Sequence, residues 1–164
     1  MAQTRKISSD RPLMSINLRR YENPSTLDGR KLIRRICLSL GLLQPGDSRD
    51  VIVDVVDSFI RNKGKMKTLT DINNDVYKIR EEYELDQIGI SPSNILRQIR
   101  RLKELKIVMK MNGAYQLTEN NFQDIFQKQI KRFIIEPTSE RIEEYCNRLD
   151  ELSEKMNKAS MQKE

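Results

Sequence analysis

The chain has 164 residues, of which 37% are hydrophobic and 33% charged, with a formal net charge of +6 and no histidine. That length suits one core with additions at both ends and leaves two full cores crowded. Without histidine the commonest general base, the Ser-His and Cys-His nucleophile pairs and the usual imidazole metal ligand are missing, and no glycine-rich phosphate loop replaces them, so neither enzyme nor cofactor is expected.

No stretch approaches the roughly 18–20 consecutive apolar residues that span a bilayer, and the N-terminus lacks the apolar core of a secretory signal, so a cytoplasmic protein without a membrane partner is expected. Cys37 and Cys146 are far apart in sequence, and buried or free thiols suit a reducing compartment better than a disulfide. Charge is unevenly distributed: residues 1–43 carry nine bases and three acids, 44–90 seven and ten, 91–118 six and one, and 119–164 eight and ten. Two basic segments of this kind are the footprint of a surface that meets phosphates.

Residues 1–26 read as a basic arm, with Arg5, Lys6, Arg11, Arg19 and Arg20 and a short apolar run from Leu13 to Leu18 that suits one strand. Turn and cap chemistry at Asn23-Pro24-Ser25-Thr26 precedes a helix over about 27–41, with Leu32, Ile33, Ile36, Cys37 and Leu40 on one face. Arg30, Lys31, Arg34 and Arg35 occupy its other face, either as a charged rim or as a nucleic-acid contact.

After the break at Gln44-Pro45-Gly46-Asp47, capped by Asp47 or Ser48, the pairs Val51-Ile52, Val55-Val56 and Phe59-Ile60 recur every four residues and predict a deeply buried helical stripe. Asp50, Asp54 and Asp57 fit a polar face of that helix, and the pair Asp54 and Asp57 is most simply a solvated one. A short strand suits Met66 to Leu69. Thr70 then caps a helix over 70–83, marked by Leu69, Ile72, Val76, Ile79 and Tyr83. Glu84 to Gly89 is a polar turn.

Ser91-Pro92 is a strong helix start, serine accepting from an orphan amide and proline occupying a position that needs no donor. Ile95, Ile99 and Leu102 mark the buried side, with Leu96 and Leu105 at its margins, and Ser93, Asn94, Arg97, Arg100, Arg101 and Glu104 the other. Strands follow over Ile107 to Met111 and Ala114 to Leu117, joined at Asn112-Gly113 by a type I′ turn.

Thr118 is the expected cap of a helix to about residue 134, burying Phe122, Ile125, Phe126, Ile130, Phe133 and Ile134 and ending before Glu136-Pro137. From Thr138 to about Lys158, the residues Ile142, Tyr145, Leu149, Leu152 and Met156 step by three and four, a heptad seam. It either packs back on the same subunit or joins two copies, and a homodimer is expected. The cluster Glu140, Glu143 and Glu144 is most simply a solvated face.

Residues Ile90 to Glu119 resemble the winged helix-turn-helix superfamily: a capped helix ending in Leu102-Lys103-Glu104-Leu105, a strand from Ile107, a tight hairpin, and Tyr115-Gln116-Leu117-Thr118. One departure is Lys106, where glycine is commoner before the first wing strand. With the arm segment Ile16-Asn17-Leu18-Arg19-Arg20-Tyr21-Glu22-Asn23-Pro24, the chain is also similar to regulators of archaellum genes in methanogenic archaea.

The resemblance implies a mainly α fold with a small β-hairpin wing, a helical extension plus winged helix-turn-helix over 27–118, and the heptad seam adds the expectation that the C-terminal helices over 119–164 serve dimerisation. The resemblance further implies a sequence-specific transcription regulator of double-stranded DNA. The base-reading expectations are Ser93, Asn94, Arg97 and Arg101, since arginine pairs bidentately with guanine and asparagine with adenine. Arg100, Lys103 and Lys106 are expected at phosphates, and Lys110 and Asn112 at the backbone or minor groove. A solvated basic surface, or a winged-helix module for protein contacts in a transcription, replication or plasmid-maintenance complex, is the alternative.

Overall fold

The computed structural model describes residues 14–47 and 49–161, with side-chain surroundings to Asn157. Arg5, Lys6, Arg11, Leu13 and Ser48 lie outside the described residues. The protein is mainly helical with one small antiparallel hairpin: α1 (Gly29–Ser39), α2 (Val51–Arg61), α3 (Leu69–Glu82), α4 (Pro92–Glu104), β1 (Val108–Met111), β2 (Ala114–Leu117), α5 (Phe122–Ile125), a π-helical stretch Phe126–Ile135 and α6 (Glu136–Met161). None of its described helices is long and apolar enough to cross a membrane.

Caps decide where the helices begin. Asn23 caps only a single 3₁₀ turn over Pro24–Thr26. Asp28, accepting from the Lys31 amide at 2.8 Å, starts α1. The cap of α3 is Thr68 rather than the expected Thr70, because Thr68 and Asp71 close a reciprocal capping box that Thr70 lacks the partner to form. Ser91 caps α4 as expected, accepting from the Asn94 amide at 3.3 Å, with Pro92 at the first helical position.

All residues of α2 from Val51 to Phe59 are buried, so it runs through the middle of the core against α1, α3 and α4. The expectation of a solvated aspartate face on α2 is therefore wrong. Asp54 is fully buried and Asp57 nearly so: Arg30 of α1 and Arg80 of α3 pair with Asp54, while Asp57 pairs through one oxygen with Arg61 of α2 itself and its Oδ2 has no hydrogen-bond partner among the described residues. Ile60, expected in the core, lies instead at the exposed end of the helix.

The hairpin pairs Val108 with Leu117 and Met111 with Ala114. Asn112 (φ 49°) and Gly113 (φ 80°) both take the left-handed conformations of a type I′ turn. The strand expected near Met66–Leu69 is reduced to one bridge, in which Lys67 exchanges backbone bonds of 2.8 and 2.9 Å with Tyr115. It ties the α2–α3 connection to the hairpin. Thr118 caps no helix: its hydroxyl donates to the Lys106 carbonyl at 2.7 Å and closes the hairpin base, while Asn121 caps α5.

The break expected at Glu136-Pro137 does not occur. Phe126–Ile135 is wound as a π-helix, shown by the Glu136 amide bonding to the Lys131 carbonyl, and α6 restarts at Glu136. Pro137, which has no amide proton to donate, therefore lies within a continuous helical run, directly after the π-wound stretch. The wider turn also changes which residues face inward. Ile125, Ile130 and Ile135, five apart, meet the core, whereas Phe126 and Phe133, placed inside by a 3.6-residue period, are 39% and 49% exposed. The beginning of the 119–164 segment therefore belongs to the same core as α1–α4.

Residues 14–23 form no strand. Their backbone lies along the end of α1, with the Asn17 amide donating to the Ser39 carbonyl at 2.8 Å. Gly41 is required there: it takes φ +66°, and a Cβ on it would sit 2.5 Å from the Ser15 carbonyl oxygen.

Candidate nucleic-acid interface

At 100° per residue, Ser93, Arg97, Arg100 and Glu104 fall within about 60° of one another on α4. All four are exposed, as is Lys103 beside them. Ile95, Ile99 and Leu102 on the opposite side are fully buried, which fixes the rotation of the helix. The turn before α4 is fastened from behind by Arg80, whose Nε donates to the Asp86 carbonyl at 2.8 Å.

The expected base-reading set divides on this geometry. Ser93 and Arg97 stand on the exposed stripe. Asn94 is half-buried, its amide donating to the Gly89 carbonyl while its Oδ1 accepts from Arg97 Nη2 at 2.8 Å and Gln98 Nε2 at 3.0 Å. Arg101 is also half-buried and turns toward the α1–α2 loop, donating to Gln98 Oε1 at 2.9 Å and the Gly41 carbonyl at 3.1 Å. Arg100, expected at phosphates, is central on the stripe.

Lys106 takes φ +55°, the left-handed conformation for which glycine is the usual residue, so the departure in sequence keeps the backbone shape. Its Nζ lies 3.6 Å from the centroid of the Phe133 ring, against the C-terminal helix rather than out beyond the hairpin. Lys110 is exposed on β1, and Asn112 is exposed at the hairpin tip.

Beside the first turns of α4 runs a cleft of about 650 Å³, lined by Arg49, Ser91, Ser93, Asn94, Arg97 and Arg101 among others. Arg49 was not legible as a member of this surface, because it comes from the α1–α2 loop, forty-odd residues away in sequence.

The other basic segment is arranged differently. Arg30 reaches Asp50 at 3.1 Å and Asp54 at 2.8 Å, and Arg34 reaches Asp50 at 3.0 Å. Arg80 of α3 completes the group, 2.6 Å from Asp54. Burial works to raise the Asp50 pKa, but hydrogen bonding and charge from Arg30, with Arg34 and Arg80, carry it below the ordinary carboxylate value. Lys31 pairs with Asp28, and Arg35 with Glu22 of the arm. The basic face of α1 is thus largely neutralised by its own chain.

By contrast, among the described residues no carboxylate pairs with Arg97, Arg100, Lys103 or Lys110. Burial pushes the Cys37 thiol up to about 12, whereas Cys146 is exposed on α6. No group of three or more metal-ligating side chains is assembled among the described residues. No family model, no curated protein and no solved structure matches this chain.

Proposed function

We propose that the protein is a winged helix-turn-helix regulator of transcription that binds specific duplex DNA as a homodimer. α2, the Lys67 bridge, α3, the polar turn, α4 and the hairpin follow one another in the order such a module requires, with α4 as recognition helix and the hairpin as wing. The observation that carries the reading is the α4 stripe: exposed arginines, held by a fully buried opposite face, with no carboxylate paired to them among the described residues.

A major groove about 12 Å wide admits one helix. Ser93, Arg97 and Arg100 then reach base edges, while Lys103 flanks the groove and Lys110 and Asn112 of the wing meet the adjacent backbone or minor groove. Asn94 and Arg101 act as positioning residues. Asn94 holds the Arg97 guanidinium, and Arg101 pins the loop at Gly41 against α4.

Selection from random duplex DNA tests this reading, followed by titration of an enriched duplex against salt. Enrichment of a motif with two related half-sites, and binding that weakens steeply as salt rises, are the expected results. Absence of any enriched motif overturns the reading and favours a protein-interaction module.

A further inference from the structure

We infer that the C-terminal helices of two copies of this chain pair in parallel as a two-stranded coiled coil; the inference rests on the homodimer just proposed and assigns its interface and polarity. Every side chain of α6 from Glu136 to Asn157 is exposed, so packing back on the same subunit, one of the two expectations for this segment, is not what the fold does. Ile142, Tyr145, Leu149 and Leu152 are 55%, 68%, 66% and 42% exposed. They form a narrow stripe at heptad positions a and d, the shape that another helix covers.

The flanks of the stripe identify that helix and its direction. With Ile142 at position a, the g positions are Arg141, Arg148 and Lys155, all basic, and the e positions Ser139, Cys146 and Ser153 are all small and uncharged. The acids Glu140, Glu143, Glu144, Asp150, Glu151 and Glu154 lie at b, c and f, away from the seam. In an antiparallel pair of identical helices, g flanks face g flanks and set arginine and lysine against arginine and lysine. In a parallel pair each g flank faces an e flank, so Arg141 lies beside Cys146 of the second copy and Arg148 beside Ser153 of the second copy, without like-charge contact. One edge of this helix thus accepts the other edge of an identical one only when both run the same way.

Polarity has a consequence for the DNA reading. α6 has 26 residues and is about 39 Å long at 1.5 Å per residue. A parallel pair keeps both α4 helices at one end of the rod, able to address neighbouring turns of one duplex. An antiparallel pair sends them to opposite ends.

The test uses the full chain and leaves the seam intact. In a Cys146→Ser background, Glu140→Cys and Glu154→Cys, both on the outer face, carry donor or acceptor fluorophores, and three mixtures are compared: 140 with 140, 154 with 154, and 140 with 154. Parallel pairing makes the two same-site mixtures transfer most efficiently, since the mixed sites stand about 21 Å apart along the axis. Highest transfer in the 140-with-154 mixture overturns the parallel polarity and leaves the dimer standing. Sedimentation is expected to show a wild-type dimer and a Leu149→Asp monomer. A Leu149→Asp dimer overturns the seam, and a wild-type monomer overturns the homodimer as well, while DNA selection continues to test the recognition helix separately.

Discussion

α1 and α4 are both amphipathic helices with arginine-rich polar faces, yet their arginines meet opposite fates. On α1, Arg30 and Arg34 turn into Asp50 and Asp54 and act as internal struts joining α1 to α2, with Arg80 adding α3. On α4, Arg97 and Arg100 look outward, and among the described residues no carboxylate pairs with either, although Glu104 shares their stripe and Asp47 lines the cleft beside Arg97. A run of positive charge in sequence is therefore ambiguous until the fold shows which carboxylates are within reach. Charge that has been satisfied internally holds helices together, and only the remainder is available to phosphates.

The sharpest way to break this contrast is Asp54→Ala. It leaves the guanidinium groups of Arg30 and Arg80 without their shared buried carboxylate, and a loss of about 3–5 kcal/mol in chemical denaturation is expected. A loss below about 1 kcal/mol would mean that the arginines of α1 are free to serve another purpose.

Next in size is the comparison of Arg97→Ala with Arg34→Ala. The first should leave folding stability nearly unchanged and relax base preference at one position by roughly 1–3 kcal/mol, measured by competition between single-base variants of the selected site. The second should lower stability and leave base preference intact. Equal effects of both variants on base preference would erase the distinction between the two helices.

Lys106 sharpens the boundary of the outward surface, because it belongs to the basic segment by sequence but stands over Phe133. Lys106→Gly should be more stable than Lys106→Ala by about 1 kcal/mol in thermal or chemical unfolding, since glycine takes the positive φ without a Cβ penalty. The smallest effect is expected for Lys103→Ala, which should weaken all duplexes alike and reduce the salt slope by about 1. A change of base preference on that substitution would move Lys103 from the flank of the groove to its floor.

Much of the local architecture is legible in the sequence. Ser91-Pro92 and Asn112-Gly113 specify a helix start and a type I′ turn through chemistry contained in two adjacent residues, and both appear where expected. The period of α2, α3 and α4 was equally plain. What the sequence does not show is which partners distant segments bring to its charged side chains. Asp54 reads as surface because an aspartate at helical spacing usually is, and Arg30 and Arg80, 24 and 26 residues away, are what make it internal. Arg101 reads as a base contact because its helical angle is near that of Arg97, but the carbonyl of Gly41 is 60 residues away.

The C-terminal segment is hard to read for a different reason. A 3.6-residue period places Phe126 and Phe133 inside, and a proline at 137 reads as the end of the helix, whereas π-helical winding changes the period and the helix continues through Pro137.

The candidate interface repeats the pattern on one helix. Sequence determined that a capped helix with a basic face begins at Ser91 and leads into a hairpin, because caps, turns and periodicity act over a few residues. Tertiary structure decided which of its polar residues look outward, withdrawing Asn94 and Arg101, bringing Arg100 to the centre and neutralising the rival face of α1. The physical reason is range. Backbone hydrogen bonding is settled between near neighbours, while the burial and pairing of a charge depend on whatever the folded chain carries to within a few ångströms of it.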